Sequence, residues 1–251
     1  MLREINKAIW VSGFTGRYLV IDCSFGAFSN DFGKYFHIPD FSYSTTTEVI
    51  RMDKNISEEQ HVSLRARTGY DKTIKKYTIN GTPITLSIRE IMNNNDDIVY
   101  VTWVNDVRDD IPWRIRVNKN IVRYLARYSI DSPYVGVHFR NTDKKGDFGS
   151  MVDGISFYRD KARDVYLATD DHTAKDRLTE TLGDDFNIVS FFKPFDNKGG
   201  NVHYGNPNKD EVILTSLVDM WMLVKSDYFV PSPTSSFSVR VDAIRKGDKF
   251  F

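Results

Sequence analysis

The chain has 251 residues, 41% of them hydrophobic and 27% charged, a make-up that excludes disordered and fibrous classes and leaves one large or two small globular domains. Lys plus Arg and Asp plus Glu each number 34, so the net charge is zero and the basic excess of a dedicated nucleic-acid binder is missing. A lone cysteine, Cys23, cannot close an internal disulfide. The longest apolar run, VILTSLVDMWMLV from Val212, is interrupted by Asp219 and too short to span a bilayer, and MLREINKAIW has no leader-like apolar core. The expectation is a cytoplasmic chain with no membrane-spanning segment and no nucleic-acid partner.

In chain order, Arg3 to Gly13 carries a helical pattern and RYLVID reads as a strand. An irregular aromatic stretch, GAFSNDFGKYFHIPDFSY, follows. TPITLSIREIMNN reads as a helix with Asn80-Gly81 as a turn before it, DIVYVTWV as a strand and RVNKNIVRYLARY as a helix. The segment SIDSP, ending at Pro133, marks the boundary between an N-terminal domain over 1–130 and a C-terminal domain over 131–251. Beyond it strands and helices alternate: strand PYVGVHFR, helix SFYRDKAR, strand VYLAT, helix TAKDRLTETL closed by Gly183, strand NIVSFF, helix DEVILTSLVDMWMLVK, strand YFVPS and helix SSFSVRVDAIRK closed by Gly247. That alternation predicts an α/β fold in which the C-terminal half is a parallel sheet with flanking helices.

Four places in that half carry chemistry-bearing residues. Alternation along PYVGVHFR puts His138 and Arg140 on one face and Val137 and Phe139 on the other. A polar pair at the C-terminal end of a parallel strand sits where such sheets bind ligands, and Asp143, Lys144, Lys145 and Asp147 crowd the loop that follows; a solvated charged turn is the plain alternative. In ATDD, Asp170 and Asp171 end a second strand at the same edge, suited either to capping the next helix or to holding a metal ion. Asp219 is the only charge in thirteen otherwise uncharged residues; a buried carboxylate needs a donor, either a structural one or a ligand with two adjacent N–H groups such as the Watson–Crick edge of guanine. In YFVPSPTSSFSVR, Thr234, Ser235 and Ser236 open a helix whose free amides suit a phosphate or merely cap the helix. Taken together, a cation, a phosphate-binding turn and a base-reading carboxylate on one sheet compose a nucleotide-diphosphate site.

The segments HFRNTDKKGD, VYLATDDHTAKDRL and LVDMWMLVKSDYFVPSPTSSFSVR, with AIWVSGFTGRYLVIDCSFGAFSNDF near the start, resemble the α1,6-fucosyltransferase family. The resemblance implies a GT-B-like architecture of two Rossmann-like halves. It implies an inverting, metal-independent transfer of fucose from GDP-fucose to a hydroxyl of a glycan acceptor, with no cofactor. By position it implies that Arg140 grips the diphosphate, that His138 lies beside the nucleotide and that Asp219 contacts guanine. Ser235 and Ser236, next to Thr234, match the phosphate-binding serines, and Asp170 and Asp171 the paired aspartates. Asp143 and Asp147 are the candidate general bases, with Lys144 as a supporting charge. Three departures stand against it: Asn141 occupies the place of a second arginine, Phe148 that of a glutamate, and the chain opens almost in its first helix. Trp10, Phe25, Phe28, Phe32, Tyr35 and Phe36 serve either core packing or stacking on an acceptor sugar in a cleft between the halves. KPFDNKGGNVHYGNPNKD reads as a loop over the donor or a plain surface loop. Alternative functions are a metal-using sugar-nucleotide transferase acting through Asp170 and Asp171, a peptide O-fucosyltransferase, and a non-catalytic nucleotide-sugar or carbohydrate-binding protein.

Overall fold

The computed structural model describes residues 2–16, 18–21, 32–45, 69–71, 76–79, 82–84, 111–141, 146–192, 208–233 and 235–251. The chain divides into two units, one comprising residues 1–23, 31–117 and 250, the other residues 24–30, 118–249 and 251. The boundary expected at 130/131 therefore lies inside the second unit.

The first unit contains α1 (Leu2–Thr15), β1 (Leu19–Val20), α2 (Phe32–Tyr35), β2 (Phe36–His37), β3 (Tyr43–Ser44), β4 (Gly69–Asp71), β5 (Lys76–Ile79), β6 (Thr82–Ile84) and β7 (Arg116–Val117). β1 pairs with β3 in parallel, β2 with β7 antiparallel, and β4, β5 and β6 form an antiparallel sheet. Two expectations change here. Thr82–Ile84, read as the start of a helix, is a strand whose Thr82 pairs with Ile79; Asn80-Gly81 between paired strands is a hairpin signal that outweighs the helical periodicity after it. Arg116 and Val117, read as helical, pair with His37 and Phe36. The strand expected over 97–104 lies outside the described residues. Of the aromatic set, Phe32, Tyr35 and Phe36 are fully or almost fully buried, with Phe36 against both Phe32 and Phe250, so they form core. Trp10 donates to the Pro112 carbonyl and lies under the Arg114 guanidinium. Phe25 and Phe28 lie outside the described residues.

The second unit contains α3 (Lys119–Leu125), β8 (Tyr134–Phe139), α4 (Phe148–Ser156), β9 (Asp164–Thr169), α5 (Ala174–Leu182), β10 (Asn187–Val189), α6 (Lys209–Lys225), β11 (Tyr228–Val230) and α7 (Ser236–Arg245). Its strands lie in the order β10-β9-β8-β11, all parallel, as the alternation predicts. The helix expected over 156–163 instead runs over 148–156 and leaves 157–161 as turn. Asp147 caps this earlier segment, while Gly149 and Gly154 weaken its helical signature in the sequence.

All six residues of β8 are buried, and their parity divides the unit. Val135, Val137 and Phe139 join Val165 and Leu167 of β9, Met151 and Ile155 of α4, and Leu178 and Leu182 of α5 in one apolar cluster. Gly136 and His138 face α6 and α7 instead, where Gly136 lies against Leu223 and Ser226 and His138 against Phe237 and Ser238. The C-terminus of α6 is closed by Arg245, whose guanidinium donates to the carbonyls of Leu223, Val224 and Ser226, groups that a helix end otherwise leaves without partners. Gly247, at φ 115°, ends α7 in a conformation that favours glycine.

This close approach sets a test. A Cβ on Gly136 would fall 2.6 Å from Ser226 Oγ and 3.2 Å from Leu223 Cδ2, and Ser226 is pinned by Leu223 and Arg245. Gly136→Ala is expected to destabilise the protein by about 1–3 kcal/mol in urea unfolding. Gly149→Ala, where the nearest contact is 3.4 Å, is expected to be neutral or stabilising by up to about 1 kcal/mol.

Candidate functional site

Sheet order reverses at β8, with β9 and β10 on one side and β11, later in the chain, on the other. The crevice outside the C-terminal ends of β8 and β11 is therefore the topological switch point, where open α/β sheets bind ligands. The residues that follow β8, β9 and β11 meet there in two connected hydrogen-bond groups.

The first group joins the ends of β8 and β9. Arg140 Nε pairs with Asp170 Oδ2 at 3.2 Å, both side chains being largely shielded, and the Asn141 amide donates to Asp170 Oδ1 at 2.7 Å. Asn141 Nδ2 donates to Asp171 Oδ2 at 2.7 Å. Thr173 donates to Asp171 Oδ1 through both its backbone N–H, at 2.9 Å, and its hydroxyl, at 2.8 Å. Burial works to raise the Asp171 carboxyl, but these donors, with His172 nearby, hold it below the ordinary carboxylate range. Asp171 thus holds Thr173, the N-cap of α5, ahead of the helix rather than capping it itself. Each oxygen of the aspartate pair accepts from, or pairs with, a protein donor. Among the described residues no three His, Cys, Asp or Glu side chains come together as a metal site.

The second group joins β8 to the turn between β11 and α7. The Arg140 backbone N–H donates to Ser232 Oγ at 3.3 Å, and Ser232 N–H donates to Ser238 Oγ at 3.0 Å. Ser238 Oγ in turn lies 2.7 Å from His138 Nδ1. His138 stacks obliquely on Phe237 with ring centroids 4.9 Å apart. Burial, and secondarily the Arg140 charge, lower the His138 pKa to about 3, so the imidazole is neutral at physiological pH. Ser235 is buried at the N-cap of α7 without a side-chain capping bond, and Ser236 is the exposed first residue of that helix. Their position leaves the helix amides directed at the switch point. Thr234 lies outside the described residues, as do Asp143 and Lys144 and the loop residues 193–207.

Two expected residues sit elsewhere. Asp147 is the N-cap of α4: it accepts from Gly149 N at 3.0 Å and Ser150 Oγ at 2.6 Å, and these bonds lower its pKa. A carboxylate spent on a cap and held below its ordinary range is a poor proton acceptor, so the role of general base does not suit it. Asp219 does not reach the strand ends. It accepts at Oδ1 from the hydroxyl of Tyr166 at 2.6 Å, and Tyr166 is level with Gly136 in the sheet. Arg140 is four strand residues further on, about 13 Å along β8. The Asp219 carboxylate is enclosed although the residue as a whole keeps some exposure; burial raises its pKa to about 7 against the lowering effect of the Tyr166 bond. The same burial, with the Asp219 charge, raises the Tyr166 phenol, which stays protonated.

Sequence reasoning missed Asn141, Ser232, Ser238, Thr173 and Tyr166 as members of these networks. Tyr166 had a signal, because alternation along VYLAT puts it on the face opposite Val165 and Leu167. The serines had none, since hydroxyls in a turn are common to ordinary caps.

No protein-family model and no curated protein sequence matches the chain. It is similar to the solved structure of NodZ alpha-1,6-fucosyltransferase co-crystallised with GDP, at 16% identity over 99% of this chain and 88% of that one, with a TM-score of 0.47. Soaked with GDP-fucose, the same enzyme matches at 15% identity over 96% and 86% of the two chains, with a TM-score of 0.45. POFUT1 in complex with GDP matches at 15% identity over 53% of this chain and 45% of that one, with a TM-score of 0.37. Among the described residues no helix is long and apolar enough to cross a membrane.

The opposed burial of His138 and Asp219 gives a pH test. An acid whose pKa is 3.8 unfolded and about 7 folded keeps its proton only in the folded state between those values, so stability falls as pH rises through that window. Measured by urea unfolding, wild type is expected to lose stability relative to Asp219→Asn between pH 4 and 8, by on the order of 1–3 kcal/mol. A constant difference across that range would contradict the buried acid. His138, lowered to about 3, acts oppositely, weakening the fold as pH falls below about 6.5, and contributes equally to both proteins.

Proposed function

We propose that the second unit binds a GDP-linked sugar at the switch point, and that the protein is a glycosyltransferase passing fucose to a hydroxyl of a glycan acceptor with inversion and without a divalent metal. The observation that carries this reading is the meeting of Arg140, the Asp170–Asp171 pair and the N-terminus of α7 where the sheet order reverses. In the proposed pose the diphosphate lies between Arg140 and the amides of α7. The nucleoside extends away from that grip, and Asp219 is assigned to its base as the family resemblance implies. In its ionised form Asp219 accepts from two adjacent N–H donors, and guanine presents such a pair.

Charge sets the chemistry. As the acceptor oxygen bonds to the anomeric carbon and the carbon–oxygen bond to the β-phosphate breaks on the opposite face, the electron pair leaves with GDP. Arg140, held in plane by Asp170, and the α7 amides would stabilise that charge as fixed donors. The acceptor proton passes to a base, for which Asp143 is the remaining candidate, with Lys144 beside it in sequence as a supporting charge. A cytoplasmic location remains part of this reading and rests on the single cysteine.

Calorimetric titration with GDP, UDP and ADP in EDTA tests the donor site. GDP-selective binding is expected in wild type, weakened about 100-fold by Arg140→Ala and with its base selectivity lost in Asp219→Asn. GDP is expected to bind more tightly at pH 8 than at pH 6, because the carboxylate form of Asp219, whose pKa lies near 7, is the acceptor. Equal affinity for the three nucleotides would overturn the reading. Given turnover with GDP-fucose, Asp143→Asn is expected to lower kcat by about 10²–10⁴-fold while leaving GDP affinity close to wild type.

A further inference from the structure

We infer that Asn141 is a positioning residue for the anion grip: it ties the ends of β8 and β9 together and thereby fixes the orientation of the Arg140 guanidinium. The inference rests on the donor-site reading above and adds a residue that this reading does not use.

The geometry is a continuous chain of donors and acceptors. Thr173 holds Asp171 Oδ1, the Asn141 side chain holds Asp171 Oδ2 through Nδ2, the Asn141 backbone N–H holds Asp170 Oδ1, and Asp170 Oδ2 pairs with Arg140 Nε. Asn141 is the one residue in that chain bonded to both aspartates. Its side-chain orientation follows from the chemistry, because an amide oxygen has nothing to accept from an ionised carboxylate. Two adjacent carboxylates at the end of one strand repel one another unless neutral donors separate them, and residue 141 supplies a backbone N–H to Asp170 while the asparagine side chain adds the N–H that holds Asp171, without adding charge. Arg140 depends on the result. Its guanidinium has a fixed fork of donors, and pairing through Nε sets the plane of that fork. If Asp170 swings, the plane swings with it, and the cost to a bound diphosphate comes from misaligned donors rather than from lost charge. On this reading, Asn141 in the place of an expected second arginine supplies alignment in place of a second contact.

A double-mutant cycle in GDP titration separates this from a structural role. Arg140→Ala is expected to weaken GDP binding about 100-fold and Asn141→Ala about tenfold, with thermal unfolding close to wild type in both. The double variant is expected to bind no more weakly than Arg140→Ala alone, because Asn141 acts through Arg140. Asn141→Asp supplies a second readout. The introduced carboxylate faces Asp171 and must share a proton with it, so GDP affinity in that variant is expected to fall as pH rises from 5 to 8, a trend opposite to that of wild type. Retention of wild-type affinity in Asn141→Ala, or losses that add in the double variant, would overturn the inference while leaving the donor site standing. Wild-type affinity in Arg140→Ala would overturn the donor site and this inference together.

Discussion

One strand constrains the second unit. β8 is buried along its whole length, so both of its faces must be filled, and alternation sends its residues to two different environments. The odd positions are apolar and close the cluster with α4 and α5. Along the even positions the chemistry changes with depth, from Gly136, which lets the end of α6 approach, through His138, which bonds into the start of α7, to Arg140 at the open end. A one-residue slip would bury Arg140 in the apolar cluster and expose Phe139, so the register that makes the core also delivers the cation to the switch point. Fold and site are therefore one specification, written in six residues.

Four carboxylates in this unit show how far environment decides what an acid can do. Asp147 caps a helix in the open and is held ionised by backbone and hydroxyl donors. Asp170 is paired with a guanidinium. Asp171 is wrapped by donors that outweigh its burial. Asp219 has one donor, a phenol, in a desolvated setting, and its pKa rises accordingly. The count of donors against the degree of enclosure sorts them: many donors favour the charged form, and one donor does not offset desolvation. Of Asp147, Asp171 and Asp219, the first two are held below the ordinary carboxylate range and Asp219 is raised toward neutrality.

The α/β class, the parallel sheet and the face assignments of His138 and Arg140 were legible because they follow from short-range periodicity, which a sequence states directly. The N-cap of α5 is Thr173 rather than Asp171, which accepts from Thr173 just ahead of the helix. Three things were not legible. The pairing of Thr82–Ile84 depends on partners outside the local window, and a β-branched run ahead of a helical pattern does not say which signal prevails. The shift of α4 to 148–156 turns on a cap at Asp147 that sequence reading had spent on proton transfer. The depth of Asp219 is a matter of how far along α6 it falls against β9. Each residue was placed on the correct element, but elements side by side in a sheet differ in register, and register is tertiary information.

The local charge at the strand ends also needs an account, because a proposed anion site contains two aspartates for one arginine among the described residues. Coulomb attraction from Arg140 alone is largely answered by Asp170 at 3.2 Å. What leaves the crevice hospitable to an anion is that Asp171 is answered as well, by three N–H and O–H donors rather than by a cation. Dipoles that point at a carboxylate offset its field at short range, and the amides at the start of α7 add a positive end of their own on the facing side. The aspartates then act as scaffolding that aims donors. The field felt by a ligand then includes that of the helix terminus. An acidic pair beside an arginine is for this reason compatible with binding a diphosphate, provided that neutral donors hold the pair in place.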